Sequence, residues 1–135
     1  MTRPWGSDAA EALSLALDGR DLGPLVERLD DASSLSFAGL SGLGGDYHGR
    51  EAIVGLLRRM VAATGGTLHF EPCRSQMSHP GALRLEGRLS GKRDGRLVSA
   101  TVSVDAALAQ RVFRSIRIDC ADRSTWDTLW GRARP

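Results

Sequence analysis

GGDYHGREAI, residues 44–53, leads from a glycine-rich stretch into a helix, and it decides the fold of this chain. Gly49 permits a sharp turn and can serve as the N-cap residue. Glu51 follows in the first turn, where a carboxylate complements the helix dipole. Ile53 begins an apolar stripe. The segment therefore predicts a helix start, and Arg50 and Glu51 are interpreted as part of that start rather than as reactive groups.

Downstream of this start, the hydrophobic pattern predicts one long helix and then four strands. The helix carries apolar residues at helical spacing as far as Met60 and Val61, and it ends at Gly65–Gly66. From Thr67 the period changes to two, and the connections are short enough for antiparallel pairing, with Asp94–Gly95 a strong turn signal. The predicted strands are Leu68–Met77, Ala82–Ser90, Leu97–Asp105 and Arg111–Cys120.

Upstream, the pattern predicts two short helices and a short strand. Asp8 and Glu11 resemble a capping box, Gly19 is a stop signal, and Asp21 can cap the second helix. A strand is predicted over Ser33–Phe37. The glycine-rich residues 38–49 are interpreted as a loop. Helices followed by a meander of strands indicate an α+β fold with helices on one sheet face.

The tail after the last strand predicts one more helix. Asp122 or Ser124 can cap it, and Trp126 and Trp130 then lie on the same side with Leu129. Because two buried indoles cover a large area, the tail is expected to be docked, either over the mouth of the fold or against a partner subunit.

The composition predicts one soluble domain spanning residues 1–135. Hydrophobic residues make up 41% and charged residues 25%, and the net charge of +2 is spread along the chain, so nucleic-acid binding is not indicated. No apolar run is long enough to span a membrane, and the N-terminus lacks the apolar core of a signal peptide, so we expect a cytoplasmic protein. Cys73 and Cys120 show no metal-type spacing and are expected to be free thiols.

With "GRDLGPLVERLDD" (residues 19–31) and "GDYHGREAI" (residues 45–53) in this order of elements, the chain resembles the SnoaL-like branch of the nuclear transport factor 2-like superfamily. The resemblance runs from about Glu11 to Asp119. It implies a cone-shaped α+β fold in which a curved antiparallel sheet wraps the long helix and the N-terminal helices close a cavity. It also implies a homodimer through the outer sheet face.

Relatives in this superfamily include ketosteroid isomerases and polyketide cyclases, which implies acid/base chemistry without a metal or cofactor. Carried over residue by residue, the isomerase base falls on Ser36 and its tyrosine donor on Leu13, so steroid isomerisation is disfavoured. Asp105 in "VSVD" matches the acid of the isomerases and the acid/base aspartate of the cyclases. It is the candidate acid/base residue, with Tyr47 and Arg114 as groups that polarise or orient a substrate.

Strand parity raises a question about Asp105. Val98, Ala100, Val102 and Val104 form one face, and Asp105 falls on the other with Ser99, Thr101 and Ser103. Without a bulge it therefore points away from the helix-covered face, and a single bulge would turn it back.

Tyr47 and Arg114 each leave two interpretations open. The Tyr47 ring packs at the base of its loop, or its hydroxyl reaches the cavity mouth. Arg114 shares the apolar face of its strand, so it either extends to the sheet rim or anchors an acidic ligand group.

Two functional hypotheses follow from these residues. The first is a cofactor-independent cyclase, isomerase or hydrolase acting on a small apolar carbonyl compound. The second is a module of the same fold that binds a small ligand or another protein without catalysis. Both place an apolar ligand in the cone, in a cavity for which we predict a lining of Ser36, Phe37, Leu68, Phe70, Leu85, Val102 and Val104.

Overall fold

Four helices and six strands make up the fold in the computed structural model, which describes residues 5–39, 42–79 and 81–130. The helices are α1 (Trp5–Leu17), α2 (Gly23–Val26), α3 (Arg50–Ala63) and α4 (Arg123–Trp130). The strands are β1 (Ser34–Phe37), β2 (Gly45–His48), β3 (His69–His79), β4 (Ala82–Arg93), β5 (Arg96–Ala109) and β6 (Val112–Cys120). The predicted α+β class is confirmed.

The strands form one curled, unclosed sheet in the order β2-β1-β6-β5-β4-β3. All neighbours pair antiparallel except β1 and β6, which run parallel with Ser34 beside Ser115. A parallel pair needs a long crossover, and most of the chain lies between these two strands. The sheet is therefore mixed, whereas a wholly antiparallel sheet was predicted.

One face of the sheet, here called the inner face, packs against α1, α3 and α4. Along β4 and β5 buried residues alternate with exposed or half-buried ones, so Leu85 and Val104 lie inside while Arg84 and Asp105 lie outside on what we call the outer face. Helix α3 contributes its apolar stripe to the same core: Ile53, Leu56, Leu57 and Met60. The predicted helical stripe and the predicted strand parity of β4 and β5 are confirmed, whereas on β6 a register shift at Arg114 buries Phe113 in place of Val112 and Arg114.

A glycine allows α3 to approach this inner face closely. A Cβ atom built on Gly91 would lie 2.4 Å from Cγ2 of Thr64, the residue that ends α3. The Thr64 hydroxyl donates to the carbonyl oxygens of Met60 and Val61, which fixes its side chain in place. The end of the long helix can therefore rest on β4 only because position 91 lacks a side chain.

Several helix ends follow the predicted signals. Gly49 is the N-cap residue of α3, with φ of 88°. Asp122 accepts hydrogen bonds from the backbone N–H and the hydroxyl of Thr125 at the start of α4, at 3.2 and 2.6 Å. These donors lower the pKa of the Asp122 carboxyl.

Other boundaries differ from the sequence-based prediction. The segment 38–49 is not a loop throughout, because Gly45–His48 pairs with β1, and the surrounding glycines hid this short edge strand. Strand β5 extends to Ala109 because the chain turns only at Gln110 and Arg111, both of which have positive φ. Helix α1 begins at Trp5, which puts Asp8 in its first turn instead of at its cap.

Candidate functional site

Asp105, the predicted acid/base residue, lies on the outer face. The β4–β5 register is regular, with Asp105 opposite Arg84, and the single shift between β5 and β6 comes later, after Ala107. No bulge therefore turns Asp105 inward. Nη1 of Arg84 donates to both carboxylate oxygens at 3.1 and 3.2 Å. Glu86 and Asp105 together raise the pKa of Arg84, so the carboxylate faces a persistent positive charge.

Asp105 also borders a surface pocket of about 450 Å³ on the outer face. Arg117, which lies opposite Asp105 on β6, forms another wall of this pocket. The carboxylate is about half exposed and pairs with the guanidinium of Arg84, whereas the guanidinium of Arg117 lies 4.0 Å from Asp119. The carboxylate therefore lies beside solvent and a paired arginine on the outer face, and not against the apolar inner face.

Tyr47 and Arg114 lie away from Asp105. Strands β1 and β6 separate Tyr47 on β2 from Asp105 on β5. The Tyr47 hydroxyl donates to the carbonyl oxygen of Leu43 at 2.6 Å, and the guanidinium of Arg59 lies 5.5 Å from its ring centroid. These contacts are those of a residue that packs against its own loop.

Arg114 has an acidic partner within the chain. Its Nη1 lies 3.2 Å from Oδ2 of Asp30, and about two fifths of each side chain is exposed. The Ala32 N–H has the largest effect on the pKa of Asp30 and, with the charge of Arg114 and the Ser33 hydroxyl, holds it below its usual value, although burial, the second-largest effect, opposes them. Of the two interpretations, this geometry favours the one that places Arg114 at the sheet rim.

The residues predicted to line an interior cavity belong instead to a packed core. Each of the six apolar ones is at most 6% exposed: Phe37, Leu68, Phe70, Leu85, Val102 and Val104. Ser36, the seventh, is half-buried and pairs across the sheet with Asp46 and Arg117, two exposed residues. Leu85 also borders a surface pocket between α1 and β3.

Helix α4 occupies the end of the cone where β1 and β6 finish. The ring of Trp126 stacks on Phe37 with centroids 5.0 Å apart, and Trp130 meets both rings edge-on at 5.7 and 5.3 Å. The Trp126 Nε1 donates to the Ala38 carbonyl oxygen at 2.8 Å. The tail is thus docked, and it covers the inner face of its own chain.

Between α4 and the tip of the β4–β5 hairpin lies a cavity of about 650 Å³, here called the rim cavity. Its walls come from the end of β4 and the start of β5, which flank the hairpin turn, and from the exposed side of α4. They are formed by Arg93, Asp94, Arg96, Val98, Ser124, Asp127 and Thr128.

Two arginines dominate the rim cavity. Arg93 and Arg96 lie directly opposite each other in the hairpin register. Arg93 donates from Nη1 to the Ala63 carbonyl oxygen at 2.8 Å. Neither arginine forms an ion pair with any residue in the described parts of the chain.

Sequence analysis did not identify this site, although a signal was present. The inner-face alternation continues from Leu89 through Gly91 to Arg93, and backwards from Val98 to Arg96. Arg93 and Arg96 occupy the next inner-face positions on their two strands. Two arginines at such positions mark the end of the apolar core and the start of a polar rim. The loop-forming residues "GKRDG" concealed the pattern because they were interpreted as a connection.

The described residues provide neither a cluster of metal ligands nor a membrane-spanning helix. Among residues 5–39, 42–79 and 81–130, no three His, Cys, Asp or Glu side chains come close enough together to hold a metal ion. No helix in these ranges is long and apolar enough to cross a membrane.

No protein-family model matches the chain, and no curated protein matches it in sequence. Solved structures match it closely in shape. Bal32a, from a soil-derived mobile gene cassette, is 24% identical, with a TM-score of 0.84 over 95% of this chain and all of its own. A nuclear transport factor 2-like protein from Burkholderia thailandensis is 14% identical, with a TM-score of 0.78 over 96% of this chain and 99% of its own.

A third structure, a protein from Shewanella putrefaciens described as a SnoaL-like polyketide cyclase, is 16% identical with a TM-score of 0.71, over 95% of this chain and 98% of its own. At these identities the comparisons establish the fold alone. The chain has the cone-shaped fold of nuclear transport factor 2-like and SnoaL-like proteins, as the sequence resemblance implied.

Proposed function

We propose that this chain is a small-ligand-binding module of the nuclear transport factor 2-like fold, and that its ligand occupies the rim cavity. The observation that carries the proposal is the pair Arg93 and Arg96, which border a cavity of about 650 Å³ and form no ion pair among the described residues. Small-molecule sites have volumes of about 300–1,000 Å³ and a few convergent polar groups. The rim cavity meets both criteria.

This proposal moves the ligand away from the centre of the cone. Phe37, Trp126 and Trp130 pack on one another at the end of the cone, so a ligand entering the interior there would have to displace two buried indoles. The rim is reached without that cost. Its arginines and hydroxyl groups favour a polar ligand over the wholly apolar compound that the sequence suggested.

A second candidate function is the cofactor-independent acid/base enzyme, a cyclase, isomerase or hydrolase acting on a small carbonyl compound. Two observations favour it: the structural similarity to the protein described as a SnoaL-like polyketide cyclase, and the pocket that Asp105 borders. In that case the substrate would lie on the outer face, with Asp105 as acid/base. Tyr47 and Arg114 would take no part, because each is engaged with its own neighbours.

The two candidates separate by mapping where small molecules bind. A fragment library of carbonyl and carboxyl compounds is titrated into the ¹⁵N-labelled protein, and the perturbed backbone amides are located. We expect perturbations at residues 93–98 and in α4, and we expect Thr128→Trp to abolish them by filling the cavity. Thr101→Trp, an exposed strand residue on the outer face, is the matched control and should leave them unchanged.

Perturbations confined to the surroundings of Asp105 would contradict the rim proposal. If they also disappear in Asp105→Asn but persist in Thr128→Trp, the enzyme candidate gains the support that the rim loses. Turnover of any carbonyl fragment, followed by NMR of the fragment itself, would then identify the reaction.

We further propose that two copies of the chain associate through their outer faces. These faces carry both signs of charge in alternation, with Arg84 between Glu86 and Asp105, and Arg117 near Asp119. A twofold axis can bring opposite charges together across such a surface. Sedimentation analysis should show a dimer that Arg84→Glu weakens, and a monomer at all concentrations would exclude it. The cytoplasmic location stays a prediction from the sequence.

A further inference from the structure

We infer that the rim cavity recognises a small organic carboxylate, held by the guanidinium groups of Arg93 and Arg96; this inference rests on the proposed function. Three features of the site support it: the register of the hairpin, the partners of each charge, and the chemistry of the remaining walls.

The register places two like charges face to face. Arg93 and Arg96 are the last pair of the β4–β5 ladder, joined by the tight turn at Asp94–Gly95, where both residues have positive φ. Like charges directly opposite each other on one face of a sheet are destabilising. An anion between the two guanidinium groups would turn this repulsion into two favourable contacts. The pair is therefore arranged as an anion site.

Within residues 5–39, 42–79 and 81–130, no carboxylate pairs with either of these guanidinium groups. Arg93 donates one N–H to the Ala63 carbonyl oxygen, which fixes the side chain and leaves its other N–H groups available. Asp94 and Asp127 border the same cavity, yet neither carboxylate comes within 4.0 Å of either guanidinium. Oδ1 of Asp127 is instead buried beside Gly39, where a Cβ atom would lie 3.0 Å from it.

The other walls indicate an organic ligand. Val98 is half-buried and offers an apolar surface between the arginines and the core. Ser124 contributes a hydroxyl group from α4, while the Thr128 hydroxyl already donates to the Ser124 carbonyl oxygen. The volume of about 650 Å³ also exceeds what a carboxylate group alone would fill. The flat guanidinium fork matches the two oxygens of a carboxylate, and the remaining space accepts an apolar body attached to it.

The experiment uses benzoate as the probe and benzamide as its neutral isostere, titrated into the intact protein at constant ionic strength and followed by calorimetry and NMR. We expect benzoate to bind at the rim with a Kd at least about tenfold below that of benzamide, because charge-assisted contacts to arginine are the strong ones. Arg96→Gln should raise the Kd of benzoate about tenfold and leave that of benzamide unchanged. Arg96 has no described partner, so this variant should fold normally.

The matched control is Arg88→Gln, which removes the same charge from an exposed position on the outer face. It should leave the Kd of benzoate unchanged. Equal loss of affinity in Arg88→Gln and Arg96→Gln would show a general effect of net charge and would overturn the inference. Inorganic phosphate provides a further arm, since displacement of benzoate by phosphate at equal affinity would overturn the requirement for an organic body.

The remaining outcomes separate this inference from the proposed function. If benzamide binds at the rim as tightly as benzoate, the cavity is a ligand site but does not select a carboxylate, and only the inference fails. If neither probe nor any library fragment perturbs the rim, and Thr128→Trp changes nothing, both the inference and the proposed function fail.

Discussion

The outer face and the rim cavity are both rich in charge, but several outer-face charges pair with one another, whereas the two rim arginines form no ion pair among the described residues. On the outer face Arg84 contacts Glu86 at 2.9 Å and Asp105 at 3.1 Å, and Asp119 receives Arg123 at 3.0 Å. At the rim, Arg93 and Arg96 face each other without an ion pair among the described residues, although two carboxylates border the same cavity.

The number of charges on a surface therefore says less about function than whether those charged side chains have partners. The paired set on the outer face is complete without a ligand, and exposed ion pairs of this kind contribute little to stability. The rim arginines have no acidic partner in the described part of the chain, and the cavity beside them gives an acidic group room to bind. The comparison therefore favours the rim over the residue that the family resemblance selected.

The largest expected effect is a loss of stability in α4, the helix that forms one wall of the rim cavity. Trp126→Ala removes a fully buried indole that stacks on Phe37, so we expect a loss of about 3–5 kcal/mol. It also leaves the Ala38 carbonyl oxygen without its donor, which adds about 1 kcal/mol. Thermal unfolding should show a Tm lower by about 10 °C or more.

Trp126→Phe serves as the graded control for this change, because it retains a stacked ring and loses only the Nε1 donor and part of the area. Its Tm should lie between those of the wild type and of Trp126→Ala. If Trp126→Ala unfolds at the wild-type temperature, α4 is not docked, and the rim has no wall on that side.

An intermediate effect is expected at Gly91, the inner-face position just before Arg93. Gly91→Ala places a methyl group against Thr64, whose side chain is held by two hydrogen bonds, so overpacking should cost about 1–3 kcal/mol. Gly55→Ala is the matched control: apart from its chain neighbours and its own helix backbone, no atom lies within 4 Å of the new Cβ, and in a helix the same change should stabilise by about 0.5–1 kcal/mol. Chemical denaturation of both variants measures these opposite signs.

Thr64→Ser sharpens this test further. It removes the Cγ2 atom that the new methyl group meets at 2.4 Å and retains the hydroxyl. Gly91→Ala should therefore cost less in the Thr64→Ser protein than in the wild type. An equal cost in both backgrounds would show that the contact between α3 and β4 does not limit position 91.

The sequence predicted the parts of this molecule that repeat. Period-two alternation in "LVSATVSVD" placed Asp105 on the outer face, and the stripe beginning at Ile53 predicted the buried side of α3. It could not predict β2, since a four-residue edge strand among glycines has no periodicity to detect. Nor could it place α4 over the inner face or bring Arg96 opposite Arg93, because docking and exact register depend on contacts between distant segments.

The smallest expected effect is a change in Tm when the ion pair between Asp30 and Arg114 is removed. The Ala32 N–H, Arg114 and Ser33 lower the pKa of Asp30 below its usual 3.8, so the folded protein binds a proton there less readily than the unfolded chain does. The stability that Asp30 contributes is therefore fully present above that usual value and is lost as the pH falls through the lowered one. Asp30→Asn should reduce the Tm slightly at pH 7, by less than either preceding change.

The same variant should have almost no effect on stability once the pH is well below the lowered pKa, since the wild-type group is then protonated as well. Arg114→Gln should lose only part of the pH-dependent stability, because the Ala32 N–H, which has the largest influence on the pKa, remains at 2.9 Å. Thermal unfolding across the acidic range compares the three proteins. A constant difference in Tm between Asp30→Asn and the wild type at every pH would show that Asp30 stabilises the fold through packing and not through its charge.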